Sequence, residues 1–92
     1  MKLPIDPDMD FTGVPIHLHQ GLLRYLHDGV PPGNFLQAVI RNDLSDAILR
    51  ADDECLGSIK GIVGFFNMEM PAPSWGSQVK MEQWCRQQQG LL

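Results

Sequence analysis

The stretch from Gly29 to Asp53, GVPPGNFLQAVIRNDLSDAILRADD, constrains this chain more than any other. Val30-Pro31-Pro32-Gly33 is a stiff connector. Each proline fixes its own φ, and Pro32 drives Pro31 out of the α region. Such a connector sets the angle between its flanking segments with little loss of entropy. Beyond it, Phe35, Leu36, Val39 and Ile40 carry a helical spacing over Asn34–Arg41, with Asn34 the expected cap. Asn42-Asp43 then interrupts. A straight helix to Ala51 would carry the apolar stripe more than halfway round the cylinder, from Phe35 through Ile40 to Ile48, and a packed face does not do that. A bend, or two short helices, removes the conflict. Asp43 with Asp46 three residues on reads as a capping pair, and both acids suit the positive end of a helix. A third helix is expected over Leu44–Ala51.

The remaining punctuation places the other elements. Helix one is expected over Pro15–Asp28, with proline in its first turn and Gly29 just past its end. Leu18, Leu22, Tyr25 and Leu26 share one face, and His19 lies at the edge of that stripe, a position suited to a hydrogen-bonded core histidine. Asp52-Asp53-Glu54 marks another acidic start, and a fourth helix is expected to run unbroken to about Met68. Its apolar face holds Cys55, Leu56, Ile59, Ile62, Val63 and Phe66. Gly57, Gly61 and Gly64 fall on the opposite side. They mark either a close approach by another backbone, a subunit or a ligand, or a tolerated surface. Pro71-Ala72-Pro73-Ser74 ends that helix. Trp75 reads as a core plug or staple, and Ser77 as the cap of a last helix holding Val79, Met81, Trp84 and Cys85. Residues 1–13, with Pro4, Pro7 and three aspartates, read as an extended arm. It is either a frayed tail or an arm laid over a neighbour through Leu3, Ile5, Met9 and Phe11. The expected fold is all-α: a small compact bundle of about four to five short helices over residues 14–92, preceded by that arm.

At 92 residues the chain has room for one domain, whose small core makes oligomerisation a reasonable expectation. The net charge is −4 and no basic run exists, which argues against a nucleic-acid polymer as partner. No apolar run approaches the length of a membrane span, and the acidic, proline-broken start is not a signal peptide. Cys55 and Cys85 belong to no CxxC pair and read as reduced, core-facing thiols, consistent with a cytoplasmic setting.

Catalytic signatures are absent: no GxSxG, HExxH, P-loop or Rossmann glycine pattern occurs, and no cofactor is expected. His17-x-His19 resembles a strand chelate, but on a helix the two rings diverge by about 200°, so no metal site is expected there. The Asp52–Glu54 acids are accounted for by a helix start. The better candidate is a polar patch where helices meet: Arg24 and Tyr25 near the end of helix one, Asn42 and Asp43 at the bend, and Arg50 at the next junction. Arginine forks grip phosphates or carboxylates, and a tyrosine ring can stack on a base. Capping explains Asn42 and Asp43 equally well, and a salt bridge to Asp46 or Glu54 explains Arg50.

The run RYLHDGVPPGNFLQAVIRNDLSDAILRAD, with a later WGS and a closing tryptophan, resembles a family of small uncharacterised proteins common in tailed phages and prophages. The shared pattern falls on Arg24-Tyr25, Gly29, Pro31–Gly33, Phe35-Leu36, Ala38-Val39, Asn42–Leu44 and Arg50–Asp52. It covers about residues 15–85. The Asp-rich arm and the glycines of the fourth helix are not part of it. The resemblance implies a phage accessory or counter-defence protein acting in the host cytoplasm, and the missing catalytic signatures make a non-enzymatic binding protein the expectation. Two mechanisms suit such a chain. An oligomeric sponge would sequester a host nucleotide signal, its phosphates on Arg24 and Arg50 and a base on Tyr25. An inhibitor or adaptor would instead bind a host protein through a helical face or the arm.

Overall fold

A computed structural model describes residues 9–90. Among them are six α-helices, two single 3-10 turns and no strand. A turn at Ile16–Leu18 leads into α1 (His19–Asp28), followed by α2 (Asn34–Ile40), α3 (Leu44–Arg50), α4 (Asp53–Gly57) and α5 (Ile59–Glu69). A second turn at Ala72–Ser74 precedes α6 (Gln78–Gln88). The fold is all-α, as expected, and no helix among the described residues is long and apolar enough to cross a membrane.

The Gly29–Asp53 stretch supplies two sharp reversals. Gly29 ends α1 in the left-handed region at φ 68°, its N–H donating to Tyr25 O at 3.0 Å. A Cβ there would lie 2.5 Å from the Cys85 carbonyl oxygen on α6, so glycine serves both the turn and the helix contact. Asn42, at φ 63°, closes α2 with a paired C-terminal motif: its N–H donates to Val39 O and the Asp43 N–H donates to Ala38 O. The Asp43 carboxylate then accepts from the Asp46 N–H at 3.1 Å and starts α3. α2 and α3 thereby form a tight hairpin. Ser77 likewise caps α6 through the Lys80 N–H.

Three expectations need correction. The fourth helix is broken: Ser58, at φ −108° and ψ 8°, ends α4 and begins α5. Gly57 and Ser58 are weak helix formers, so the kink costs little where packing requires it. Asn34 is not a cap; Gly33 holds the extended capping position without a side-chain bond. The glycine stripe is not one surface either. Only Gly61 meets another backbone, at Gly13, while Gly57 and Gly64 have open space where a Cβ would be.

The core joins α1, α2, α5 and α6. Leu22, Tyr25, Leu26, Ile40, Ile62, Phe66 and Trp84 are almost fully enclosed. Trp84 Nε1 donates to Tyr25 O at 3.1 Å, and the Tyr25 hydroxyl donates to Ser74 O at 2.6 Å. One chain of bonds thus ties α6, α1 and the Ala72–Ser74 turn. Trp75 and Phe66 meet edge to face, with ring centroids 5.5 Å apart, so Trp75 packs on the core. Gly76 N–H donates to Ile40 O at 2.7 Å and pins this loop to the end of α2.

Of the N-terminal arm, Leu3 and Ile5 lie outside the described residues. Met9 and Phe11 pack on this chain's own core. Phe11 stacks between His19 and Phe65, with centroids 4.4 and 5.0 Å away. His19 Nε2 lies 2.8 Å from Val14 O, which makes it a hydrogen-bonded histidine at the core edge.

Candidate functional site

The five polar residues singled out in the sequence do not form one patch. Tyr25 is in the core with no exposed surface, so its ring offers no face to a stacking base. Burial, and secondarily the neighbouring Cys85, pushes its hydroxyl well above the usual tyrosine range. It is a structural donor to Ser74 O. Arg24 is exposed on α1. Asn42 and Asp43 serve the α2–α3 turn with their backbone and carboxylate. Arg50 donates through Nε to Asp46 Oδ1 at 2.9 Å, and Arg41 takes Asp46 Oδ2 at the same distance. Asp46 is therefore clamped between two guanidinium groups, and the salt-bridge account of Arg50 holds.

Two surface depressions bring the remaining chemistry together. The first is a small apolar groove of about 60 Å³ between α3 and α5. Val39, Ala47 and Trp75 floor it, Leu44, Ile59 and Val63 form its sides, and Asn42 and Asp43 lie at its rim. Leu44 is 71 % exposed and Val63 41 %. Ile48, one turn beyond Leu44 on α3, extends the apolar edge and is 39 % exposed. A continuous row of half-exposed aliphatic side chains on two helices is a surface that water wets at a cost.

The second depression, about 200 Å³, is polar. His17, Asn34, Arg50, Asp52 and Cys55 line it with the Gly33–Leu36 backbone and side chains. Asp52 Oδ1 accepts from the Cys55 N–H at 2.7 Å and caps α4. That bond, with the rest of the cap, holds the Asp52 carboxyl below its ordinary value. Its other oxygen, Oδ2, faces His17 Nε2 at 3.8 Å, and the Cys55 sulfur lies 3.8 Å from the same nitrogen. On the far side of the imidazole, Nδ1 is 3.3 Å from Glu54 Oε1. Burial, reinforced by the Asp52 carboxylate, pushes the Cys55 thiol up to about 11, so by itself the sulfur is protonated at neutral pH and is no nucleophile.

His17 and His19 have different partners: His19 meets Val14 O and Phe11, whereas His17 meets Asp52, Glu54 and Cys55, a cluster that no spacing in the sequence announces. The D-x-x-C spacing of a capped helix start was visible, but its histidine comes from a turn far upstream. Lys and Arg side chains gather in neither depression apart from Arg50, and Arg24 lines neither. Comparison with protein-family models, with curated protein sequences and with solved structures returns no match.

Proposed function

We propose that this is a non-enzymatic phage accessory protein that binds a host protein, with the groove between α3 and α5 as its contact surface. The observation that carries this is the row of exposed Leu44, Ile48 and Val63 around the apolar floor of Val39, Ala47 and Trp75. Its narrow, apolar form suits the hydrophobic stripe of an amphipathic helix, anchored at helical spacing. The net charge of −4 and Asp43 at the rim favour a partner with basic flanks. The phage and counter-defence context rests on the sequence resemblance.

The nucleotide sponge ranks second. Arg24, one of the two arginines expected to hold phosphate, is exposed, but Tyr25 is enclosed and Arg50 is engaged by Asp46. Self-association would use the same groove and is the third outcome to separate.

The test compares wild type with Leu44→Asp and Val63→Asp, two exposed positions, with circular dichroism checking that each variant is folded. Under the protein-binding reading, a host protein recovered with wild type is lost with both variants, and the partner gives a saturable one-to-one titration with wild type. Loss of a dimer, but of no partner, in the same variants assigns the groove to self-association. A thermal shift with a cyclic or ADP-ribose-type nucleotide that Arg24→Ala abolishes, with no groove-dependent partner, assigns the protein to the sponge class.

A further inference from the structure

We propose that His17, Asp52 and Cys55 form a binding site for a single zinc-type divalent ion, with Glu54 orienting the histidine. A thiolate and an imidazole together select zinc-like ions, whereas a carboxylate cluster alone suits calcium or magnesium. Three protein ligands with the fourth position open to solvent is an established zinc arrangement. Here that position faces the polar pocket of about 200 Å³.

Distances agree with such an ion. With Zn–S about 2.3 Å and Zn–N about 2.0 Å, a tetrahedral centre separates sulfur and nitrogen by about 3.5 Å, and nitrogen and carboxylate oxygen by about 3.4 Å. Cys55 Sγ and Asp52 Oδ2 each lie 3.8 Å from His17 Nε2. One ligand atom from each of the three residues lies within 4.8 Å of the others. Closing the triangle requires small movements of His17 and Asp52, whose side chains are 46 % and 63 % exposed and so have room to shift without repacking the core. The buried Cys55 can stay in place.

The surroundings settle which atoms would bind. Asp52 Oδ1 is occupied by the Cys55 N–H, so Oδ2 is the oxygen left for an ion, and the capping bond holds the carboxylate in place. Glu54 stands 3.3 Å from His17 Nδ1. A proton on Nδ1 directed at Glu54 leaves the Nε2 lone pair pointing at Cys55 and Asp52. This carboxylate–histidine–metal order is the usual outer support of a zinc ligand. On binding, the Cys55 proton leaves to solvent as the metal–sulfur bond forms. The ion would also tie the Ile16–Leu18 turn to the start of α4, two segments far apart in the chain.

Cobalt(II) titration of chelator-treated, tag-free protein tests this. One Co²⁺ per chain is expected, giving a sulfur-to-cobalt charge-transfer band and the visible bands of four-coordinate cobalt, both removed by one equivalent of Zn²⁺. Cys55→Ser should abolish the charge-transfer band, while Cys85→Ser, whose sulfur is not in the cluster, should retain it. His17→Gln and Asp52→Asn should weaken binding at least about tenfold, and Glu54→Gln by about tenfold. Asp52→Asn keeps an oxygen to accept the Cys55 N–H, and His17 is exposed, so both variants should keep the wild-type circular dichroism. Absence of a thiolate band in wild type overturns the proposal. So does a band that survives Cys55→Ser, or an affinity unchanged in both His17→Gln and Asp52→Asn.

Discussion

Two glycines on α5, three residues apart, should respond to the same substitution in opposite directions. Gly64→Ala adds a methyl group into open space within a helix interior. The gain is the usual difference in helix propensity, about 0.5–1 kcal/mol. Gly61→Ala earns the same propensity term but places its Cβ 2.5 Å from the Gly13 carbonyl oxygen and 3.0 Å from Gly13 C and Cα. The obstacle is backbone, which cannot rotate away as a side-chain tip can. Gly13 is itself held at φ 86°. The segment it belongs to is pinned to α5 by Phe11 stacked on Phe65 and by the Asp10 N–H donating to Glu69 Oε1 at 3.0 Å. Relief therefore means lifting the segment and loosening those contacts. Overpacking of this kind costs about 1–3 kcal/mol. Set against the propensity gain, Gly61→Ala should be a net loss, of up to about 2.5 kcal/mol. Urea denaturation reads this as a lower midpoint with unchanged slope for Gly61→Ala and a higher midpoint for Gly64→Ala. In thermal melts each kcal/mol corresponds to about 4–8 °C for a domain of this size. A Gly61→Ala variant as stable as wild type, or a destabilised Gly64→Ala, would refute the close approach of Gly13 to α5.

Two further outcomes follow from buried or strained groups. The Tyr25 hydroxyl is raised above its unfolded value, so its contribution to stability is fully present below about pH 10 and is lost as pH rises above that. Tyr25→Phe should cost about 1–2 kcal/mol at neutral pH, because Ser74 O loses its donor, and should flatten the fall in urea midpoint above about pH 10. The raised thiols of Cys55 and Cys85 should leave a residual slope; an unchanged slope would place Tyr25 elsewhere than in the core. At Asn42, glycine should be neutral or stabilising and alanine destabilising by about 1 kcal/mol, because φ 63° is the requirement there. Equal losses in Asn42→Gly and Asn42→Ala melts would show that the side chain itself carries a bond the turn depends on.

Much of the local structure was legible because its causes are local. Asp43, Asp52 and Ser77 each cap the helix that their spacing announced, since a capping oxygen needs only an N–H two or three residues on. Gly29 ends α1 for an equally local reason. The break at Ser58 was less legible. An apolar face continued across Gly57-Ser58, and periodicity does not report a kink that preserves the face. Tyr25 shows the limit most clearly. Its position on the apolar stripe of α1 was visible, but a tyrosine on such a stripe can bury its hydroxyl only if a partner reaches it. That partner, Ser74 O, comes from the far side of the domain. The polar patch imagined across the helix junctions dissolved for the same reason: Asn42, Asp43 and Arg50 found their partners within the α2–α3 hairpin.

By itself, then, the sequence determined an all-α chain, the capped starts of α3, α4 and α6, the stop of α1 at Gly29, and the stiff Pro31-Pro32-Gly33 joint with the reversal at Asn42. These depend on dihedral preferences and on hydrogen bonds within a few residues. Only the tertiary structure decided which glycine meets a backbone, which aliphatic side chains of α3 and α5 remain in water, and that His17 stands beside Asp52, Glu54 and Cys55. Those contacts join segments widely separated along the chain. Their geometry is set by how the helices pack, and no spacing in the sequence encodes it.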